Sequence, residues 1–112
     1  MISFEDAARG FAAAGSEPRL QVLLLLVRAG PEGLTVGEIQ ERLEVPASTL
    51  AHHLKYLAAG GLIEQLKAGR KVITRAAFKH IEELASFLLH ECCSDAGASQ
   101  LRARSIQSRT TS

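Results

Sequence analysis

Residues 35–62, TVGEIQERLEVPASTLAHHLKYLAAGGL, constrain this chain more than any other stretch, because helix start signals, stop signals and periodicity all fall inside them. Thr35 followed by Glu38 is a capping box, which satisfies orphan N–H groups at a helix start. Ile39 and Leu43 share a face, so the spacing predicts a helix from about Val36 to Leu43. Val45-Pro46 then breaks it, since proline disfavours helical geometry in the residue before it and suits a first helical turn itself. A second helix follows at once. Successive rotations of about 100° put Ala47, Leu50, Leu54 and Leu57 on one side, with His53 at its edge. Ser48, Thr49, His52, Lys55 and Tyr56 fall on the other. Gly60 is expected to close the helix in left-handed geometry.

Two short helices joined this tightly have the spacing of a helix-turn-helix. The outward face of the second carries hydroxyl, imidazole and ammonium groups on small side chains. Such a face fits a major groove and can meet base edges or phosphates there. Charge distribution agrees. The chain of 112 residues has a net charge of only +1, but the charge is segregated. Residues 1–45 carry −3 and residues 81–112 carry −1. Residues 46–80 carry +5, with Lys55, Lys67, Arg70, Lys71, Arg75 and Lys79 against Glu64 alone. Positive charge therefore sits where phosphate contacts would need it.

The rest of the chain reads as a mount for this unit. Ser3 and Asp6 suggest a cap for a first helix in which Phe4, Ala7, Ala8 and Phe11 recur at helical spacing. That helix is alanine-rich and marginal alone, so it must pack on another element or on a second copy of the chain. Ser16-Glu17-Pro18 opens a second helix, apolar nearly all round from Val22 to Val27 and therefore expected to be central and buried. Gly30-Pro31-Glu32-Gly33 ends it.

Beyond the helix-turn-helix, residues 62–67 and 71–74 read as two strands joined by Ala68-Gly69-Arg70. The hairpin tip is basic, with Lys67, Arg70 and Lys71. Placed directly after the second helix of the pair, it reads as a wing that can lean on phosphates or enter a minor groove. A plain hairpin covering a core edge is the alternative, lysine being also a common guard of edge strands. A last helix, from about Ala76 to Cys93, carries Phe78, Ile81, Leu84, Ala85 and Leu88 on one side, broadened by Phe87 and Leu89. Excess apolar surface on a terminal helix points to a subunit interface made with the first helix, through Phe4, Ala8, Phe11, Ile81, Leu84, Ala85 and Leu88. Residues 94–112 have no sustained period and are expected to form a disordered tail.

The fold expectation is thus α+β, mostly α: a winged helix-turn-helix domain over residues 1–93, flanked by dimerisation helices. A chain of this length holds one core. It has no apolar run of the roughly 20 residues that span a bilayer, and no signal-peptide pattern at its start. A cytoplasmic protein is expected. Its two cysteines, Cys92 and Cys93, are adjacent and do not form a disulfide framework. No nucleophile, base and orienting group are recognisable together, so an enzyme is not expected.

The strings SEPRLQVLLLLVRAG, LTVGEIQERLEVPASTLAHHLKYLAAGGLIE and KAGRKVIT, in this order, resemble the ArsR/SmtB family of bacterial winged-helix repressors over roughly residues 3–93. The resemblance implies a homodimer that binds double-stranded DNA at an imperfect palindrome and leaves it when an inducer binds. Ser48, Thr49, His52 and Lys55 match the DNA-facing positions of the family's recognition helix, and Ala51 stands where a serine is common. His53 matches a position packed inward.

The family's thiol motif on the first helix of the pair is absent, since Val36-Gly37-Glu38-Ile39 holds no cysteine. Its carboxylate-histidine metal pattern on the terminal helix is poorly matched, His80 and His90 being about 80° off register. Cys92-Cys93 resembles the vicinal pair at the end of the terminal helix in some arsenic-responsive members, without the further cysteine those usually carry. Trivalent arsenic prefers soft thiolate ligands. Two protein thiols fill two of its three bonds, leaving one for a methyl group, hydroxide or small thiol. Adjacent residues on a regular helix diverge by about 100°, so chelation favours an unwound helix end. Two other readings of the pair stand beside this one: a thiol-oxidation sensor, and a buried structural pair with Cys92 continuing the apolar series. A winged helix that captures a protein partner instead of DNA is the remaining alternative.

Overall fold

The computed structural model describes residues 2–95 and consists of five helices and a three-stranded antiparallel sheet of order β1-β3-β2. The expected tail lies, from residue 96 onward, outside the described residues. Helix α1 spans Phe4–Ala14 and starts where Ser3 Oγ accepts the backbone N–H of Asp6 at 3.0 Å. Helix α2 spans Glu17–Ala29, with Ser16 Oγ accepting from the Arg19 N–H and Pro18 in its first turn. Strand β1, Leu34–Thr35, runs straight into helix α3, Val36–Leu43. The capping box of α3 is complete: Thr35 Oγ1 accepts from Glu38 N at 3.2 Å and Glu38 Oε1 accepts from Thr35 N at 2.9 Å. Hydrogen bonding to the carboxylate, from the Thr35 backbone N–H first and the Thr35 hydroxyl second, holds the Glu38 carboxyl below the ordinary glutamate value.

Helix α4, Ala47–Ala59, follows after Glu44 takes left-handed geometry at φ 53° and Pro46 starts the new helix. Strands β2, Ile63–Ala68, and β3, Lys71–Ala76, form the hairpin, and helix α5 spans Phe78–His90. Helix α2 is the hub, packing on α1, α3, α4 and β3. Leu26, Ile39, Leu50 and Leu57 are fully buried around it. Truncating such a leucine to alanine costs about 2–5 kcal/mol.

Several expectations need correction. Helix α2 is not buried all round. Val22, Leu23 and Leu26 are buried, but Leu20, Leu24 and Val27 are 42%, 41% and 37% exposed. Those three lie at i, i+4 and i+7, the side of α2 that its neighbours leave uncovered. Ala47 is exposed rather than packed with Leu50, Leu54 and Leu57. Gly60 has φ −82°, and the left-handed residue after α4 is Gly61, at φ 78°. Strand β3 reaches Ala76, which pairs with Ile63, so α5 starts two residues later than expected. The helix also stops at His90, short of the cysteines, and Cys93 has φ 72°, which no continuing helix allows. Strand β1 was not expected at all. It pairs Leu34 with Thr74 and Thr35 with Ile73.

Candidate nucleic-acid interface

Three leucines decide which way α4 faces. Because Leu50, Leu54 and Leu57 are buried, the residues about half a turn away must point outward, and Ser48, Thr49, His52, Lys55 and Tyr56 are all exposed. Ala51 is exposed among them, and a cavity of about 300 Å³ opens beside His52, Lys55, Tyr56 and Ala59. The surface is organised by ring contacts. His52 meets the Tyr56 ring edge-on with centroids 4.8 Å apart, and the Arg19 guanidinium of α2 lies 5.0 Å from the Tyr56 centroid. His53, next along, is half-buried, as an inward-packed position requires, and its Nδ1 is buried without a hydrogen-bond partner.

Hairpin geometry follows from one glycine. A two-residue loop, Gly69-Arg70, joins β2 to β3, and Gly69 takes φ 66° at its first position, which matches the right-handed twist of the strands. Lys67, Arg70 and Lys71 are all exposed around this tip. Arg75 is different: its Nε donates to Glu64 Oε1 at 2.7 Å across the strand pair, which neutralises it. The positive charge of residues 46–80 thus rests on Lys55 of α4, on the hairpin tip and, apart from these, on exposed Lys79 of α5.

The terminal helices carry an apolar surface. Phe4 is 78% exposed and meets Phe87 of α5 edge-on at 5.5 Å. Ala8, Phe11, Ala85 and Leu88 are exposed and Ile81 is half-buried. Leu84 departs from the interface expectation. It is 6% exposed because it packs inside the chain on Gly10 of α1, and so offers no side chain to a partner.

The two thiols stand past the end of α5, not on it. Cys92 N–H still bonds to the Leu89 carbonyl at 2.9 Å, while Cys93 turns left-handed. The turn brings Cys92 Sγ and Cys93 Sγ to 3.0 Å, a distance that a regular helix does not give to neighbours. Cys92 is exposed, so within the single chain it is not a buried hydrophobe. The hydrogen bond with Cys92, then burial, then the neighbouring charge raise the Cys93 thiol above its ordinary value. No group of three or more His, Cys, Asp or Glu side chains placed to hold a metal ion occurs among the described residues.

Two features escaped the sequence reading. Arg19 looked like part of a helix body, although its place one turn after the Ser16 cap puts it beside the end of α1. Gly10 interrupts an alanine-rich helix, the one available hint of a close contact there.

Residues 15–65 match a family described as a helix-turn-helix domain. The chain is 36% identical over 69 residues to an uncharacterized HTH-type transcriptional regulator of Methanocaldococcus jannaschii, covering 62% of this chain and 75% of that one. Its fold is similar to that of an ArsR-like transcriptional regulator from Rhodococcus sp. RHA1, with a TM-score of 0.71, 28% identity, and 94% and 92% of the two chains covered. It is also similar to the homodimeric winged helix-turn-helix DNA-binding domain of a Mycobacterium bovis protein, with a TM-score of 0.61, 25% identity, and 79% and 82% covered. No helix among the described residues is long and apolar enough to cross a membrane. With these likenesses in sequence and in fold, the chain belongs to the ArsR family of winged helix-turn-helix transcriptional regulators.

Proposed function

We propose that the protein is a homodimeric transcriptional repressor that grips a palindromic operator and lets go when a trivalent arsenical binds Cys92 and Cys93. The observation that carries this reading is the 3.0 Å approach of two exposed thiols immediately beyond α5. In each protomer Ser48, Thr49, His52, Lys55 and Tyr56 enter the major groove, and Lys67, Arg70 and Lys71 meet phosphates. The exposed stripe of Phe4, Ala8 and Phe11 on α1 with Ile81, Ala85 and Leu88 on α5 forms the seam between protomers, as the homodimeric relative supports. Each arsenic–sulfur bond replaces a hydroxide of the arsenical, which leaves as water with the thiol proton. The third position keeps a methyl group, hydroxide or small thiol. Drawing the residues after α5 into this chelate reshapes the seam. The two recognition helices then lose the separation of about 34 Å that one turn of duplex demands. Working thiols imply a reducing, cytoplasmic setting.

Fluorescence anisotropy with an operator duplex tests the reading. Inorganic and methylated trivalent arsenic are expected to release the reduced wild type and to leave the Cys92→Ser/Cys93→Ser variant bound. Release of that variant by the same arsenicals would remove the thiols from the mechanism. Release by peroxide alone would make the pair an oxidation sensor. Substituting Lys67 or Arg70 with alanine should lower the slope of log affinity against log salt by about one each.

A further inference from the structure

Arg19 lies off the exposed face of α4 and is nevertheless tied to it. Its Nε donates to the Ala13 carbonyl at 2.6 Å and its Nη2 to the Ala12 carbonyl at 3.2 Å. Both carbonyls belong to the last turn of α1, which carries no basic residue of its own; Ala12 O also accepts the Gly15 N–H at 3.1 Å, whereas Ala13 O is one of the orphan acceptors of a helix end. Arg19 therefore caps α1 with both hydrogen bonds and positive charge. The same guanidinium carbon sits 5.0 Å from the Tyr56 centroid, and Tyr56 abuts His52.

A guanidinium is planar. Its edge carries the donors while its flat face remains open to a ring, so the two sets of contacts do not compete. One side chain thus joins three helices: α2, from which it springs, α1, whose end it closes, and α4, whose outer surface it braces. A second contact acts at the C-terminal close of α4, one turn beyond Tyr56. A Cβ placed on Gly60 would run into the Ala13 side chain and stand 3.2 Å from the Arg9 carbonyl, so the close of α4 is pressed directly on the close of α1. Gly60 restrains α4 along its axis, and Arg19 restrains it one turn earlier, on the outward side.

We propose that Arg19 is a positioning residue for DNA reading. It fixes the Tyr56 ring, through that ring orients His52, and registers the whole outward face of α4 to the end of α1. It does so without touching DNA. The inference rests on that face being the one that contacts the duplex.

The test uses full-length reduced protein and a duplex selected from a random pool by the wild type. Arg19→Gln keeps a donor for the carbonyls but loses the cation, and Arg19→Lys keeps the cation but loses the plane. Both are expected to bind about fivefold more weakly at unchanged salt slope. In a Tyr56→Leu background, Arg19→Gln should add less than about twofold, since both changes remove one contact. The ring-proton resonances of His52 and Tyr56 should move in the free Arg19→Gln protein. Should Arg19→Gln lower the thermal midpoint, Arg19→Lys carries the measurement. A salt slope reduced by about one would make Arg19 a phosphate contact and overturn the proposal. Wild-type affinity in Arg19→Lys would also overturn it, because charge alone would suffice. Undiminished binding by a Ser48→Ala/His52→Ala variant would instead sink the assignment of the α4 face itself, a failure distinguishable from that of Arg19.

Discussion

Replacing Gly10 with alanine probes how α1 and α5 are joined, and the sign of its effect should depend on the residue opposite. A Cβ at Gly10 would lie 2.8 Å from Leu84 Cδ1 and 3.0 Å from Cδ2. Carbon pairs settle at about 3.5–4.0 Å, so something must move by about 0.7 Å or more. Leu84 is 6% exposed and has no solvent to swing into. Overpacking of this kind costs about 1–3 kcal/mol. Gly10 has no positive φ, so alanine is allowed by the backbone, and removing a glycine from a helix interior returns about 1 kcal/mol. The net expectation is a loss of about 1 kcal/mol. Leu84→Ala alone should cost about 2–5 kcal/mol. In that background the new methyl enters vacated space, and Gly10→Ala should become stabilising by about 1 kcal/mol. Urea denaturation followed by circular dichroism, at one fixed protomer concentration, measures both arms. Stabilisation of the wild type by Gly10→Ala, or destabilisation of the Leu84→Ala protein, would refute the packing on which the calculation stands.

Two further outcomes concern titration. Because Cys92 is the first cause of the raised Cys93 thiol, and alkylation proceeds through the thiolate, Cys93 should react with iodoacetamide more slowly at pH 8 in the wild type than in Cys92→Ala. Site-resolved mass spectrometry reads the two rates, and equal rates would dissolve the proposed hydrogen bond. Glu38 is held below its ordinary value in the folded chain, so its contribution is present above the unfolded value and lost as pH falls through the folded one. Glu38→Gln should accordingly show a shallower fall in urea midpoint on acidification than the wild type. A parallel fall would mean that the capping box does not persist in solution.

Features carried by neighbouring residues were legible in the chain. Ser3, Ser16 and Thr35 each cap the helix expected of them, because a cap needs only a hydroxyl and an N–H three residues on. The outward set on α4 follows from rotation alone, and the hairpin tip from one glycine between β-rich runs. What stayed hidden depends on the far side of each contact. Nothing in VLLLLV tells which half of α2 its neighbours will cover, so Leu24 and Val27 read as core and are not. Leu84 matched an interface stripe, and only the gap at Gly10 turns it inward. The end of α5 required knowing that Cys93 turns left-handed, a conformation with no signal in its residue type. Arg19 is a matter of three helices meeting, which no window along one of them can reveal.

Strand β1 is two residues long and has no period to detect, yet it alters how the hairpin can behave. Thr35 pairs with Ile73 in the sheet and in the same position caps α3. The root of the arm is therefore stitched to the first turn of the helix pair, and its base cannot pivot as a free paddle. Any adjustment to a wider or narrower groove has to come from the outer reach around Gly69, where only two strands run, while the inner part travels as one piece with the helices it feeds.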